Sequence, residues 1–199
     1  MAKKKKTKKV AKPKLPARGA AAKRRPVVKA RPAPRMAKPH HDRLREVEQF
    51  LYRQTEHLDG KRWQDFIELF TADGVYWMPA APEQTTGDGV PSIFFEDRNL
   101  MTVRLKRLTH PRAWSQKTAW GTNHLVSNVT IESDDVVTGE VVARSRFHLM
   151  EFRNDATRHF AGSYIHHFRR TKDGLRIVLQ RVDMVNAQGP YEYVLQAWV

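Results

Sequence analysis

Glu140-Val-Val-Ala-Arg-Ser-Arg-Phe-His-Leu149 decides the fold. Val141, Ala143, Phe147 and Leu149 alternate with Glu140, Arg144, Arg146 and His148. Period two is the signature of a strand with one face buried. The same alternation recurs downstream. Phe160, Gly162, Tyr164 and Phe168 oppose His159, Ser163 and His167, and Leu175, Ile177 and Leu179 oppose Arg176 and Gln180. Upstream, Leu125, Val129 and Ile131 are placed on one face, with Ser127 among them. The breaks between these runs are Ser133-Asp134-Asp135, Asn154-Asp155 and Lys172-Asp173-Gly174, which is turn chemistry at hairpin spacing. A long antiparallel meander is the result.

Helices precede it. Asp42 is placed as the N-cap of a helix reaching about Leu58, with Leu44, Val47, Leu51 and Leu58 at helical spacing and Phe50 beside them. Asp59-Gly60 breaks that helix. Trp63, Phe66, Ile67 and Phe70 mark a second helix, which Asp73-Gly74 is expected to end. Val75-Tyr-Trp-Met78 reads as a short strand stopped by Pro79, residues 80–92 as a loop, and about Asp97 to Leu108 as a third helix. Helices first and a meander afterwards predict an α+β fold, a curved antiparallel sheet with its helices gathered on one face.

Charge divides the chain in two. Of its 36 Lys and Arg, sixteen fall in residues 1–41, which contain no Asp or Glu. Residues 42–199 are left with 20 basic against 21 acidic side chains. The net charge of +15 therefore belongs to a Lys/Ala/Pro-rich tail, which is read as disordered. Residues 42–199 are read as a single domain. Residues 3–38 could attract polyanions without sequence readout, having no aromatic residue to stack on bases. Met36 sits where the composition changes and is an alternative start to Met1.

The chain has no Cys, which excludes disulfides, thiolate zinc sites, cysteine nucleophiles and iron–sulfur ligation by its own residues. No stretch approaches the roughly 18 consecutive apolar residues of a membrane span. The N-terminus lacks the apolar core of a secretory signal and the Ser content of a transit peptide. A cytoplasmic location is expected.

One set of stretches is recognisable. It comprises Val47-Glu-Gln-Phe-Leu-Tyr-Arg-Gln54, Leu58-Asp-Gly-Lys-Arg-Trp63 and Phe70-Thr-Ala-Asp-Gly-Val-Tyr-Trp-Met-Pro79. Ser92-Ile-Phe-Phe-Glu-Asp-Arg98, Arg104-Leu-Lys-Arg-Leu108, His124-Leu-Val-Ser-Asn-Val129 and Arg176-Ile-Val-Leu-Gln-Arg-Val182 complete it. Over roughly residues 44–199 the chain resembles the small (beta) subunit of aromatic-ring-hydroxylating dioxygenases, the Rieske non-haem iron oxygenases. Two features depart from that pattern: Lys117-Thr-Ala-Trp-Gly-Thr122 after Ala113-Trp-Ser-Gln116, and the basic tail. The resemblance implies a cone-shaped fold like that of nuclear transport factor two and scytalone dehydratase. It implies no cofactor in this chain and a self-trimer inside a three-plus-three hexamer with the large (alpha) subunit. That subunit would hold the Rieske [2Fe-2S] cluster and a mononuclear Fe(II). Electrons from NAD(P)H would arrive through a reductase, directly or by way of a ferredoxin.

The residues agree with a non-catalytic chain. A Rieske centre needs two Cys and two His. A facial triad needs two His and a carboxylate, and His166 and His167, adjacent on a strand, face opposite ways. One alternative function is a stand-alone dehydratase or isomerase of the same cone fold, drawing acid and base from His124, Asp183 and Tyr52, with His148 and His166 as further candidates; another is a polyanion- or nucleic-acid-binding protein acting through the basic tail. For Asp183 an ion pair with Arg181 is the simpler expectation. In Glu96-Asp97-Arg98, Asp97 is expected to cap the third helix. Gly87-Asp-Gly89 lacks the spacing of a nucleotide fingerprint. Trp63 and Trp77 are assigned to the core. Trp114, Trp120, Tyr191, Tyr193 and Trp198 are assigned to subunit contacts, because aromatic side chains near loops and chain ends favour interfaces.

Overall fold

The computed structural model describes residues 40–190 and 195–199, and Ala37–Val199 forms one compact unit by itself. The disorder expected of the basic tail falls on residues 1–39, outside the described ones. The elements in order are α1 (His40–Asp59), α2 (Trp63–Glu68), β1 (Phe70–Pro79), β2 (Ser92–Asp97), α3 (Arg98–Leu108), a 3-10 turn (Trp114–Gln116), β3 (Trp120–Asp135), β4 (Glu140–Arg153), β5 (Ala156–Thr171) and β6 (Gly174–Met184).

The six strands form one sheet in the order β2-β1-β6-β5-β4-β3. β3 to β6 are the predicted meander. Each hairpin has its own turn chemistry. Asn154 and Asp155 both take positive φ (52° and 59°), as a two-residue type I′ turn requires. β1 joins this meander parallel to β6, so the sheet is antiparallel everywhere except at that join. α1 and α2 cover one face. Val47, Phe50, Leu51 and Leu58 of α1 and Trp63, Phe66 and Ile67 of α2 are buried against Ala143, Phe147, Tyr164, Phe168 and Ile177 of the sheet. Phe50 meets Phe168 edge-on at 4.9 Å, and Phe147 stacks on Tyr164 at 4.3 Å. Gly162 sits beneath this layer because a Cβ there would lie 2.1 Å from the Asp183 carbonyl oxygen.

Four expectations are corrected. α1 starts at His40, so Asp42 lies within its first turn, where its charge complements the helix dipole, and is not the N-cap. α2 stops at Glu68, and Asp73-Gly74 lies inside β1. There the pairing to β6 slips between Phe70 and Val75, and Gly74 brings its Cα against the Ile177 carbonyl. In β3 the pairing shifts between Ser127 and Thr130, with Asn128 at φ 52°. This bulge reverses the parity, because one extra residue turns every later side chain to the other face. Leu125 is consequently 63% exposed, while His124 and Val126 share the inner face with Val129 and Ile131. A second shift, opposite His167 and Phe168, separates Ile177 from Leu179 and turns Gln180 fully into the core. Bulges in β3 and β6 are also what bend the sheet around its helices.

Candidate functional site

α1 ends on an acid, against the negative end of its own dipole, so Asp59 needs donors. It has three. His124 Nδ1 lies 2.6 Å from Oδ1, the His124 backbone N–H donates to Oδ2 at 2.9 Å, and Thr122 Oγ1 donates to Oδ1 at 2.8 Å. Burial works to raise the Asp59 pKa, but the bonds from His124 and Thr122 outweigh it and hold the carboxyl below its usual range. The His124 side chain is 1% exposed, and its Nε2 is buried with no hydrogen-bond partner. The pair clamps β3, an edge strand, onto α1.

The second buried polar group is His166. Its ring is fully buried, 5.6 Å from Tyr164 and 5.2 Å from Phe168. Burial pushes its pKa down to about 3, so the ring is neutral, and Nε2–H donates to Gln54 Oε1 at 3.1 Å. Burial also raises the Tyr164 hydroxyl pKa well above normal.

These groups are not the predicted His124, Asp183 and Tyr52 constellation. Asp183 accepts from Arg181 Nε at 2.8 Å, the ion pair the spacing predicts. The same guanidinium donates to the Gln84 carbonyl at 2.6 Å and the Pro82 carbonyl at 3.1 Å. Tyr52 is exposed on α1 and His148 stacks on His159 on the outer face of the sheet. Asp59, the partner His124 does have, was read from sequence only as a helix break. The signal was present all the same, in an acid at a helix C-terminus.

The aromatic residues assigned to subunit contacts divide. Trp114 is 75% exposed, with Lys117 Nζ 3.1 Å above its ring. Trp120 is half-buried in its own domain, stacked on Trp63 at 6.1 Å with Lys61 Nζ 4.1 Å from its ring centroid. Trp198 is corrected: it is a core residue, 2% exposed, 5.3 Å from Phe66, and its Nε1 donates to Glu96 Oε2 at 3.0 Å. Val199 beside it exchanges two hydrogen bonds with the Tyr76 hydroxyl at 3.2 Å each, donating through its N–H and accepting at its carbonyl. Tyr191 and Tyr193 lie outside the described residues.

Glu96 also accepts from the Arg104 guanidinium, at 2.8 Å from Nε and again from Nη2, and Arg104 lies 4.2 Å over the Phe94 ring. Asp97 caps α3 as expected, accepting from the Leu100 N–H at 2.8 Å. Trp77, assigned to the core, is buried between Arg181 at 4.6 Å and Phe95 at 6.5 Å.

Among the described residues no three His, Asp or Glu side chains gather as a metal-ligand set, and no helix is long and apolar enough to cross a membrane. With no Cys in the whole sequence, the residues present do not fit an iron–sulfur cluster.

Residues 53–188 match the family model for the ring hydroxylating beta subunit. The chain belongs to that family. It is 34% identical over 169 residues to the chlorobenzene dioxygenase subunit beta of Cupriavidus sp. (strain PS12), covering 78% of this chain and 87% of the relative. The crystal structure of the beta subunit of the benzoate 1,2-dioxygenase from Burkholderia mallei superposes with a TM-score of 0.61 at 25% identity, over 75% of this chain and 95% of that one. Naphthalene 1,2-dioxygenase shares the fold, with a TM-score of 0.62 at 19% identity over 80% of this chain and 85% of that chain. As a member of a beta-subunit family, the chain is one component of a multicomponent aromatic-ring-hydroxylating dioxygenase that works with a large alpha subunit.

Proposed function

We propose that this beta subunit acts as a cofactor-free scaffold, in the cytoplasm, for a large subunit that dihydroxylates an aromatic ring. Three copies would assemble with three large subunits. The Rieske [2Fe-2S] cluster and the mononuclear Fe(II) would reside in the large subunit, with electrons from NAD(P)H passing through a reductase, directly or by way of a ferredoxin. The family match, on a chain without one Cys, carries this reading. The positions of the buried groups support it. His124 and His166 are tied to Asp59 and Gln54 in a packed interior, where they serve structure. On this reading the ring to be oxidised is chosen in the large subunit's pocket, and this chain contributes geometry.

Reconstitution tests it. Purified alone, the full chain should contain no stoichiometric iron or acid-labile sulfide and should turn over no aromatic substrate. Added to its large subunit, it should raise ring dihydroxylation and leave the iron content per large subunit unchanged. Turnover by the isolated chain would overturn the proposal.

A further inference from the structure

Five polar side chains meet on the inner face of the sheet beneath α1. Strand register brings four of them together. Ser145 of β4 stands opposite Tyr164 of β5, and Gln180 of β6 stands opposite His166 of β5. Directly paired residues of antiparallel strands project to one face, and so do residues two apart on one strand. Tyr164 and His166 therefore join Ser145 and Gln180 into a continuous patch across three strands. α1 adds Gln54 from above, with its Oε1 3.1 Å from His166 Nε2. Each of the five residues is at most 1% exposed.

Their hydrogen bonding is incomplete. Gln54 Oε1 and His166 Nε2 satisfy each other. Gln54 Nε2, His166 Nδ1, Ser145 Oγ, the Tyr164 hydroxyl and both ends of the Gln180 amide have no hydrogen-bond partner among the described residues. Other polar groups of the interior are served: the Tyr76 hydroxyl by Val199, Glu96 by Arg104 and Trp198, and Ser163 by Arg146. A buried polar group left unpaired is costly, and native interiors pair nearly all of them, through ordered water where the chain itself does not reach. Six open atoms in one patch point to a guest.

The patch selects that guest by chemistry. Its amide nitrogens and hydroxyls donate, while His166 Nδ1 and Gln180 Oε1 accept. None of the five side chains is charged, since burial keeps the His166 ring neutral. A bare cation would meet the N–H donors and an anion would meet the acceptors, so neither fits the mixed set. The rings of Phe147 and Phe168 pack against Tyr164 and His166 at 4.3 Å and 5.2 Å, which closes the patch among aromatic neighbours. Such burial suits a molecule that is small, neutral, and both donor and acceptor.

We propose that this patch is a built water site, in which ordered water links Gln54, Ser145, Tyr164, His166 and Gln180. Buried waters make about three hydrogen bonds each, so about two molecules serve the six open atoms. The site stands apart from the subunit reading and holds whether or not a large subunit is bound.

A crystal structure of the full-length chain, at a resolution that shows ordered water, tests it directly. It should show about two rounded densities, each within about 2.7–3.2 Å of at least two of the six atoms. Side chains bonded directly to one another, with no density between them, would overturn the proposal. Density longer than a water molecule would overturn it in favour of an organic ligand. Oxygen-17 relaxation dispersion gives a second reading in solution by counting long-lived internal waters. Gln180→Met and Ser145→Ala, each first shown to fold by circular dichroism, are compared with the wild type. Gln180→Met should lose at least one long-lived water, and Ser145→Ala should shorten the residence time of those that stay. An unchanged count in folded Gln180→Met would overturn the proposal, and the wild-type crystal decides it if that variant does not fold.

Discussion

The two edges of the sheet use the same residue types differently. At the β3 edge several charges are paired within the chain. Asp59 holds His124 and Thr122, and Arg43 and Arg170 converge on Asp134, at 2.6 Å and 3.6 Å, while Arg170 also reaches Glu46 at 2.7 Å. At the β2 edge, Lys106 and Arg107 of α3 are exposed and make no ion pair among the described residues. The first arrangement fastens a long edge strand, whose free backbone groups would otherwise invite pairing with another chain. The second leaves two cations facing solvent. Counting cations does not separate a fastening from a solvated face; asking which are already paired does.

Two tryptophans give the widest contrast. Trp198→Ala should destabilise the domain by about 3–5 kcal/mol, because it empties a core site and leaves Glu96 short of a donor. Trp114→Ala should cost no more than about 0.5 kcal/mol, because its ring is largely in water. Urea unfolding of the two variants side by side checks this. Equal losses would break the division between core and surface aromatics.

The clamp comes next. Asp59→Ala should cost about 2–3 kcal/mol, since it strips a partner from His124, Thr122 and one backbone N–H. The Asp59 carboxyl titrates lower in the folded chain than in the unfolded one. Its contribution is therefore complete above the unfolded carboxyl pKa and is lost as pH falls through the lower folded value. Asp59→Asn should flatten the steep acid end of the melting-temperature profile. An unchanged profile would show that the clamp does not titrate.

His166 acts in the pH window above that one. Its folded pKa of about 3 lies far below its ordinary 6.5. Between those values the unfolded chain takes up a proton that the folded chain refuses, so stability should fall steadily as pH drops from about 6.5. His166→Asn should reduce that slope. NMR of the ring should show it neutral at pH 5.

The smallest effect belongs to Arg144→Ala. Its bond to Glu132 joins two exposed side chains, and removing it should change stability by about 0.5 kcal/mol or less. Arg43→Ala should cost more, about 1–2 kcal/mol, because Asp134 is nearly buried.

Much of this was legible in the chain. Alternation over residues 140–149 and turn pairs such as Asn154-Asp155 specify hairpins, because strand parity and positive-φ turns are local properties. Legibility failed at the bulges. Asn128 and the slip before Leu179 each insert one residue, and a single insertion reverses parity with no compositional mark. Asp73-Gly74 misled for a related reason, since the residues that end a helix are also those that bend a strand. The Asp59–His124 and Glu96–Trp198 pairs join residues 65 and 102 positions apart, a distance no periodicity reaches.

The central claim is that this chain works by assembly. Its most direct test is native mass spectrometry of the complex isolated through this chain from its own host. The account predicts equal copies of this chain and a Cys-containing, iron-bearing larger partner, and the chain's own mass will show whether it starts at Met1 or Met36. A homo-oligomer that lacks any such partner would contradict it.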